Sequence, residues 1–323
     1  MGKHDLSVLI AARNEEFLNR TVEDVLAKKR GNTEVIVVCD GNWPIPPLED
    51  HPDLTMIYHA ESIGQRAGIN EAARLSTAKY IMKLDAHCIV DEGFDVKLMA
   101  DCEYDWTVIP AQYNLHVFDW VCKKCGSRMY QGRKPIHCQL PGESRKDNPD
   151  CDGKEFERDI VWQPRWRRRS EFMRFDSDLH FQYWSAYKKR PEARGDIADT
   201  MSFIGACWFM HRKRYWDIDG LDEGHGSWGQ VGTEMSCKSW LSGGRLVVNK
   251  KVWFSHLFRT QGGDFGFPYP QSGKQVAHSR EYSKQLFKDG KWKKAKYPLS
   301  WLVQKFAPVL GWENSPWNKK EGE

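Results

Sequence analysis

Short apolar runs alternate with amphipathic segments through the N-terminal part of the chain. Four such runs, each bounded by polar residues or by Gly and Pro, cover residues 6–11, 34–39, 54–58 and 80–84. Runs of this length predict buried strands, and the apolar spacing between them predicts helices. Strands that alternate with helices predict an α/β fold, built on a mostly parallel, Rossmann-like sheet with helices on both faces.

Polar residues with metal-binding capacity stand where two of these strands end. Asp40 follows the second run, and Asp85 and His87 follow the fourth. Ligands of such sheets bind beyond the carboxyl ends of the strands. Because side chains alternate along an extended chain, Asp85 and His87 point to the same side. One carboxylate with imidazole favours Mn²⁺, or a similar ion such as Mg²⁺, over the all-oxygen cage of Ca²⁺.

The regular pattern breaks between residues 112 and 160, where Cys, Lys, Gly and Pro are frequent. Four of the nine cysteines fall in this segment, at Cys122, Cys125, Cys138 and Cys151. In a reducing compartment a cluster with a CxxC pair indicates metal before disulfides, and four thiolates fit a structural Zn²⁺ site. His137 is an alternative ligand to Cys138. Buried free thiols, or disulfides in an oxidising compartment, are the other interpretations.

Basic and aromatic residues are interleaved from 161 to 194. The segment holds nine Lys and Arg against four acidic residues. Cations of this kind contact phosphates and rings stack on bases, which indicates nucleic acid. A sugar pocket or a solvated amphipathic face would use the same residue types, so these alternatives stay open. The net charge of +4 favours none of them.

The composition fits one large α/β domain or two smaller ones, with 323 residues and 40% hydrophobic content. No stretch reaches the roughly 18 apolar residues of a membrane span. The N-terminal segment has the pattern of a strand and lacks that of a signal peptide. We therefore expect a soluble, cytoplasmic protein. Nothing in the pattern predicts its oligomeric state.

Ordered motifs give the chain a resemblance to a known family. GQRA at 64–67, NEAA at 70–73 and YIMKLDAHC at 80–88 resemble the donor-binding half of the polypeptide N-acetylgalactosaminyltransferases. The resemblance implies a glycosyltransferase of the GT-A type that uses a UDP-sugar. It also implies that Asp85 and His87 bind Mn²⁺.

Three later motifs continue the resemblance in the same order. WGQVGTEMS at 228–236, WLSGG at 240–244 and SHLFR at 255–259 are similar to the family's WGGENxELS, WxCGG and GHxFR. The last implies His256 as a third metal ligand. The N-terminal pattern also resembles the broader family 2 glycosyltransferases. Together the resemblances imply a donor pocket formed by Ala11, Asn14, Glu15, Asp40, Gly64, Arg66, Asp85 and Arg259.

One position departs from the family pattern. The family's Glu-Asn pair falls on Val231–Gly232, where inverting family 2 enzymes keep an acidic base. Either Glu234, or Asp222 with Glu223, supplies the base, or none is needed because the departing phosphate accepts the proton in a retaining reaction. The resemblance favours retention, and Glu234 would also fit the first turn of a helix. The catalytic candidates are Glu234, Asp222 and Trp228.

The resemblance leaves the acceptor open, because the family lacks the Cys-rich insertion and carries a lectin domain that this chain is too short to hold. The basic segment and the zinc module favour a hydroxyl on a modified DNA base, such as a hydroxymethylpyrimidine, flipped out or single-stranded. Viruses of bacteria are the usual setting for that chemistry. The alternatives are a glycan, lipid-linked or protein acceptor, or a non-catalytic zinc-containing nucleic-acid-binding protein on a GT-A scaffold.

We expect four regions along the chain. Residues 1–111 form the nucleotide-sugar-binding half, 112–160 the Cys-rich insertion, 161–262 the acceptor-side half and 263–323 a C-terminal lid and tail. The Gly-, Pro- and aromatic-rich residues 260–280 fit a lid over the donor, or an ordinary surface loop.

Overall fold

One large sheet dominates the computed structural model, which describes residues 3–138, 151–259 and 266–319. Its strands are β1 (Leu6–Ala12), β2 (Thr33–Asp40), β3 (Leu54–His59), β4 (Tyr80–Leu84), β5 (Cys88–Val90), β6 (Trp106–Cys122), β7 (Arg128–Tyr130), β8 (Phe156–Ser170), β11 (Ile197–Asp199), β12 (Cys207–His211) and β13 (Arg245–His256). A separate pair comprises β9 (Met173–Phe175) and β10 (Phe181–Tyr183). The α-helices are α1 (Leu18–Lys28), α2 (Gln65–Leu75), α3 (Phe94–Ala100), α4 (Arg212–Asp217), α5 (Val231–Leu241), α6 (Gly273–Ser283) and α7 (Leu299–Phe306).

The order across the sheet is β11-β13-β6-β12-β4-β1-β2-β3. β3, β2, β1 and β4 are parallel to one another, and β13 is parallel to β6. β12 is antiparallel to both β4 and β6, so these two strands run in the same direction. β11, at the edge, is antiparallel to β13. The prediction of a mostly parallel sheet is therefore confirmed, with β12 inside the order and β11 at its edge as the antiparallel exceptions.

Apolar side chains cover both faces of the sheet, because neighbouring residues of a strand point to opposite sides. Val8 and Ile10 of β1 pack with α1 and α3 on one face, while Leu9 packs with α2, α5 and α7 on the other. This burial on both sides explains why β1, β2 and β4 are continuous apolar runs. β3 is only half buried, because it lies at the edge of the sheet.

A long hairpin extends the sheet on the side of β6. β8 pairs antiparallel with the second half of β6, from Gln112 to Cys122, and β7 pairs with the end of β6. We call these paired parts of β6, β7 and β8 the arm. Both long strands cross the expected region boundaries at 111/112 and 160/161, so the Cys-rich segment is the tip of a hairpin that continues the central sheet. Residues 139–150 of that segment lie outside the described residues.

The C-terminal segment packs on the body of the fold. The ring of Phe306 in α7 lies 5.5 Å from that of Trp240 in α5. Of the expected lid, residues 266–280 belong to the described ranges and 260–265 do not. Within those ranges no helix has the length and apolar character needed to cross a membrane.

Candidate metal and donor site

The three predicted metal ligands meet although β4 and β13 are not neighbours in the sheet. The chain after β4 turns and forms β5, which pairs antiparallel with the end of β13, with Cys88 opposite His256. Leu257 N also donates to His87 O at 3.1 Å. This crossing brings Asp85 and His87 beside His256, at the carboxyl edge of the sheet.

Distances among the three side chains fit a divalent ion. Nε2 of His87 lies 3.1 Å from Nε2 of His256, which lies 3.2 Å from Oδ2 of Asp85. The three potential ligand atoms all lie within 4.8 Å of one another. Two ligands at right angles, about 2.1 Å from an ion, are about 3 Å apart. The two measured separations are therefore those expected for neighbouring ligands of one divalent ion.

Glu15 orients His87 from the opposite side of the ring. Its Oε2 lies 2.9 Å from Nδ1 of His87, and its Oε1 accepts from Arg259 Nη2 at 2.6 Å. Burial would raise the pKa of Glu15, but His87 and Arg259 outweigh it and the pKa is lowered. An ionised Glu15 fixes the proton of His87 on Nδ1, so the lone pair of Nε2 is available to bind a metal ion. Glu15 and Arg259 thus support His87, and both also line the larger cavity, so their expected donor contact stays a prediction.

Lys83 enters this site without having been predicted. Its side chain is 1% exposed, and its Nζ donates to Asp85 Oδ1 and, at 2.8 Å, to Gly205 O. Gln65 Nε2 donates to the same oxygen of Asp85 at 3.1 Å. Burial would raise the pKa of Asp85, but Lys83, His256 and His87 together lower it. A lysine within the apolar run YIMKL was the signal in the sequence.

A cavity of about 400 Å³ opens above these side chains. Among its walls are seven of the predicted site residues, namely Ala11, Glu15, Asp85, His87, Trp228, His256 and Arg259. A smaller adjoining cavity is lined by four predicted residues, namely Ala11, Asp40, Gly64 and Trp228. Metal ligands and donor-pocket residues from the two distant motif groups therefore share one cleft.

Asp40 and Gly64 shape the smaller cavity. Asp40 accepts from Ser62 Oγ at 2.8 Å and from the backbone N of Ile63 and Gly64. Gly64 has φ +90°, and a Cβ there would lie 3.0 Å from Ser227 Cα. Only glycine fits both this conformation and this close approach. The two residues thereby hold the start of α2 against the 227–229 loop.

Glu234 and Arg66 are placed differently from their predicted roles. Glu234 is fully buried at the start of α5, and its Oε2 lies 3.0 Å from Arg66 Nε. Its Oε1 accepts from Lys238 Nζ at 2.8 Å and from Asp222 N at 2.6 Å. Arg66 is 1% exposed and also donates to the carbonyls of Gly226 and Gly229. Neither side chain is in the walls of either cavity.

The base function expected of Glu234 and the donor contact expected of Arg66 stay predictions. The Glu234 carboxylate and the Arg66 guanidinium face each other inside the protein. Through the carbonyls of Gly226 and Gly229, Arg66 also holds the loop before α5. Burial would raise the pKa of Glu234, but Lys238, Arg66 and His225 lower it to about 2.

The other acidic candidates also lie away from the cavity walls. Asp222 accepts from Gly224 N at 2.9 Å and from Tyr282 Oη at 3.2 Å, so it caps a short turn. Glu223 is 51% exposed and accepts from Asn70 Nδ2 at 2.9 Å. The catalytic role expected of Asp222 likewise stays a prediction. Trp228, the remaining catalytic candidate, does line both cavities.

Comparisons with known proteins agree with this fold. The family described as glycosyl transferase family 2 matches residues 7–121. A Drosophila melanogaster protein assigned as polypeptide N-acetylgalactosaminyltransferase 13 is 23% identical over 297 residues, covering 86% of this chain and 45% of the relative. Polypeptide N-acetylgalactosaminyltransferase 3 of the same organism is 24% identical over 280 residues, covering 80% and 36%.

A solved structure extends the comparison to three dimensions. The crystal structure of GalNAc-T7 with UDP, GalNAc and Mn²⁺ has a TM-score of 0.58 at 16% identity, covering 93% of this chain and 50% of that one. The chain therefore has the GT-A glycosyltransferase fold. The resemblance noted in the sequence is confirmed by these matches. The chain spans half or less of the length of these relatives.

Part of the expected lid covers the cleft of this glycosyltransferase fold. Phe267 and Tyr269 line the larger cavity, and the ring of Phe267 lies 5.7 Å from that of Trp228. Asn14, which has φ +52°, donates from Nδ2 to Pro268 O at 2.9 Å. Asn14 is absent from the walls of both cavities, so it ties the covering segment to the loop after β1.

The four cysteines of the arm tip converge. Sγ of Cys122 lies 3.8 Å from that of Cys151, and Sγ of Cys125 lies 3.6 Å from that of Cys138. All four sulfurs are within 4.8 Å of one another, and the group includes Cys138 in preference to His137. Four sulfurs about 2.3 Å from a central ion lie about 3.8 Å apart, whereas disulfide sulfurs are about 2.05 Å apart.

Two glycines shape the backbone around this cysteine cluster, one by its conformation and one by its lack of a side chain. Gly126 follows the CxxC pair with φ +73°, which turns the chain sharply. A Cβ at Gly153 would lie 2.5 Å from Cys122 Sγ and 3.2 Å from Cys151 Sγ. The backbone therefore passes the thiols at a distance that no side chain permits.

Proposed function

We propose that the chain is a metal-dependent glycosyltransferase that moves a sugar from a nucleotide-sugar to a hydroxyl acceptor. The observation that carries this is the meeting of Asp85, His87 and His256 at the floor of the 400 Å³ cavity. These residues would hold a divalent cation, Mn²⁺ or Mg²⁺, which when bound neutralises charge on the departing diphosphate. Glu15 keeps His87 in the tautomer that binding requires.

A UDP-sugar is the donor we propose. The solved relative holds UDP, GalNAc and Mn²⁺ together. In this chain the smaller cavity, which Asp40 and Gly64 line, shares Ala11 and Trp228 with the walls of the larger one. The nucleoside would occupy the smaller cavity and the sugar the larger, with the diphosphate over Asp85. Trp228, which lines both, would pack against the donor.

Retention of the anomeric configuration follows from the acids present. Among the described residues that line the larger cavity, the carboxylates are those of Glu15 and Asp85. Both are engaged, Glu15 with His87 and Arg259 and Asp85 with Lys83. Without a free carboxylate, the departing phosphate oxygen would accept the proton of the acceptor hydroxyl. The bond from the anomeric carbon to the diphosphate would break, and the acceptor oxygen would form its bond to that carbon on the same face.

For the acceptor we propose a hydroxymethylpyrimidine in DNA. The register pairs His256 with Asn114, and Asn114 with Arg165 of β8, so the basic strand lies two strand spacings, about 10 Å, from the metal ligands. Arg167 and Arg168 are exposed there, and Trp166 is 58% exposed. Exposed cations and rings beside the cleft would contact phosphates and bases. The setting we propose is the cytoplasm of a bacterium infected by a virus with modified DNA.

A structural zinc ion is the second metal that we propose. The sulfur separations at Cys122, Cys125, Cys138 and Cys151 match a tetrahedral thiolate site. A closed site of this kind stabilises a segment that is too polar to form its own core.

The test is donor hydrolysis and transfer by the purified chain. UDP-, GDP- and dTDP-sugars are supplied with Mn²⁺, with and without DNA that contains hydroxymethylpyrimidines. We expect UDP-sugar hydrolysis that requires metal, is lost in Asp85→Ala, and becomes transfer to DNA. Asp91→Ala is the matched control, since Asp91 pairs with the partly exposed Lys97.

The other outcomes are equally informative. Hydrolysis that ignores DNA would keep the enzyme and redirect the search to glycan or protein acceptors. Absence of turnover with every donor, together with tight DNA binding, would support the non-catalytic nucleic-acid-binding protein instead.

A further inference from the structure

Lys83 is a buried cation beside a residue that we propose to be a metal ligand. Its side chain is 1% exposed, and its ammonium contacts Asp85 Oδ1 and the carbonyls of Gly205, at 2.8 Å, and Ala206, at 3.4 Å. The carbonyls are neutral, so Asp85 supplies the compensating charge. A buried ion requires such a partner, because desolvation of an unpaired charge is strongly unfavourable.

The contact with Lys83 gives the two carboxylate oxygens of Asp85 different partners. Oδ1 accepts from Lys83 and, at 3.1 Å, from Gln65 Nε2, while Oδ2 lies 3.2 Å from His256 Nε2. Only Oδ2 therefore faces the position where the ligands converge. Lys83 acts on that position through Asp85, which makes it a positioning residue.

Summed charges around the three ligands come to about zero. Asp85 is paired with Lys83, and Glu15 is paired with Arg259, whose side chains are 4% and 6% exposed. Neutral imidazoles add no charge. Most sites for hard divalent cations present several carboxylates, whereas this one offers no net negative charge.

We propose that Lys83 makes divalent-cation binding depend on the nucleotide diphosphate. The ligand set alone holds the cation weakly, because Lys83 cancels the charge of Asp85. A bound diphosphate supplies the missing negative charge and oxygen ligands, so cation and nucleotide bind together. This inference rests on the proposed function, since it presupposes a metal at Asp85.

The experiment is Mn²⁺ titration, followed by the electron paramagnetic resonance signal of free Mn²⁺, with and without UDP. For the wild-type chain we expect weak binding alone and much tighter binding with UDP. Lys83→Met frees Asp85, so Mn²⁺ alone should bind at least about tenfold tighter, and UDP should add less. Lys97→Met is the control, because Lys97 is 41% exposed and pairs with Asp91 away from the ligands.

A second pair of variants guards against a folding defect. Lys83→Arg keeps the charge and should retain the UDP dependence, while Lys83→Gln removes the charge and should behave as Lys83→Met. Thermal unfolding identifies variants that fold. Unchanged or weaker Mn²⁺ binding in a folded neutral variant would overturn the proposal. If neither neutral variant folds, the wild-type chain decides, and Mn²⁺ binding that is equally tight with and without UDP would overturn the proposal.

Failure of the metal site itself is distinguishable. Asp85→Ala should abolish specific Mn²⁺ binding whatever the role of Lys83. If Asp85→Ala binds Mn²⁺ as the wild type does, the proposed metal centre is wrong. If Asp85→Ala loses binding and the neutral Lys83 variants show no gain, only the inference about Lys83 fails.

Discussion

Nδ1 of His87 lies 2.9 Å from Oε2 of Glu15, and both side chains are largely buried. A carboxylate behind an imidazole fixes the tautomer and increases the basicity of the opposite nitrogen. The motif NEE after β1 and the motif DAH after β4, far apart in the chain, thus contribute to a single ligand. If His87 binds the proposed metal, Glu15 acts on that metal through the imidazole.

Glu15→Gln should weaken Mn²⁺ binding and Mn²⁺-dependent turnover by about 10- to 100-fold. The amide is close in size but no longer holds the proton of His87 on Nδ1. The measurement is the Mn²⁺ concentration that gives half-maximal donor hydrolysis. Glu16→Gln, an exposed neighbour paired with Arg158, is the control and should change little. Equal metal requirements in the two variants would contradict this role.

Glu234→Gln should reduce stability and leave the chemical step nearly intact. Removing one partner from a buried ionic group typically destabilises by about 3–5 kcal/mol. Arg66 and Lys238 would each lose their carboxylate. Urea unfolding measures the loss of unfolding free energy, and kcat is compared between the folded fractions of variant and wild type. Glu223→Gln, at an exposed carboxylate, is the control. A folded variant with normal stability and a kcat lowered a thousandfold would restore Glu234 as the base.

Stability should fall as the pH drops from about 6.5 to about 4. Burial lowers the pKa of His225 to about 4, and burial with nearby His87 lowers that of His256 to about 4. Below pH 6.5 the unfolded chain therefore binds more protons than the folded one, and stability is lost as pH falls. Glu234, with a pKa of about 2, adds its own loss only below about pH 4.5.

Urea midpoints between pH 7.5 and 4.5, without added Mn²⁺, measure this dependence. His225→Gln should flatten the slope, since His225 is fully buried against Ser283. Its contribution is on the order of 3 kcal/mol at most. An unchanged slope in that variant would assign the pH dependence to other groups.

The purified chain should contain about one equivalent of zinc, and Gly153→Ala should lose it. The added methyl would lie 2.5 Å from Cys122 Sγ and cannot be accommodated with four converging thiols. Metal analysis and thermal unfolding provide the readouts. Gly273→Ala is the control, because a Cβ there meets nothing within 4 Å. Absence of zinc from the wild-type chain would contradict the proposed zinc site, and full zinc content in Gly153→Ala would show that the ion does not depend on the close approach of Gly153 to these thiols.

Arg167→Gln with Arg168→Gln should weaken DNA binding and leave UDP-sugar hydrolysis unchanged. Two phosphate contacts account for a decrease of about two in the slope of log K against log salt. Fluorescence anisotropy at several salt concentrations measures that slope. Lys291→Gln with Lys293→Gln removes two exposed cations elsewhere and serves as the control. A loss that is equal in both double variants would indicate a non-specific charge effect.

Much of the fold follows from local pattern. The apolar runs of β1, β2 and β4 are buried on both faces, so their composition predicts their position in the centre of the sheet. The antiparallel direction of the inserted β12 cannot be predicted from its composition, because it depends on where the chain re-enters the sheet. The Cys cluster was predictable as a group, while the long strands β6 and β8 that carry it were not.

Side-chain direction limited the prediction of the site. The motifs identified Asp85, His87 and His256, whose meeting depends on the short crossing strand β5. The same motifs contain Arg66 and Glu234, but a motif records residue types and not which side of a helix each residue faces. In the structure those two charges pair with each other, 3.0 Å apart. Lys83 was overlooked because it stands among apolar neighbours in a strand.

The uninterrupted β6 also sets a length. Asn114 pairs with His256, and Cys122 ends the strand eight residues later, about 27 Å away at about 3.4 Å per residue. One step of a DNA strand also rises about 3.4 Å. A DNA strand that lay along the arm would thus need about eight nucleotides to reach from the reacting hydroxyl to the cysteine cluster at the tip. Oligonucleotides much shorter than this would contact only one end of the arm.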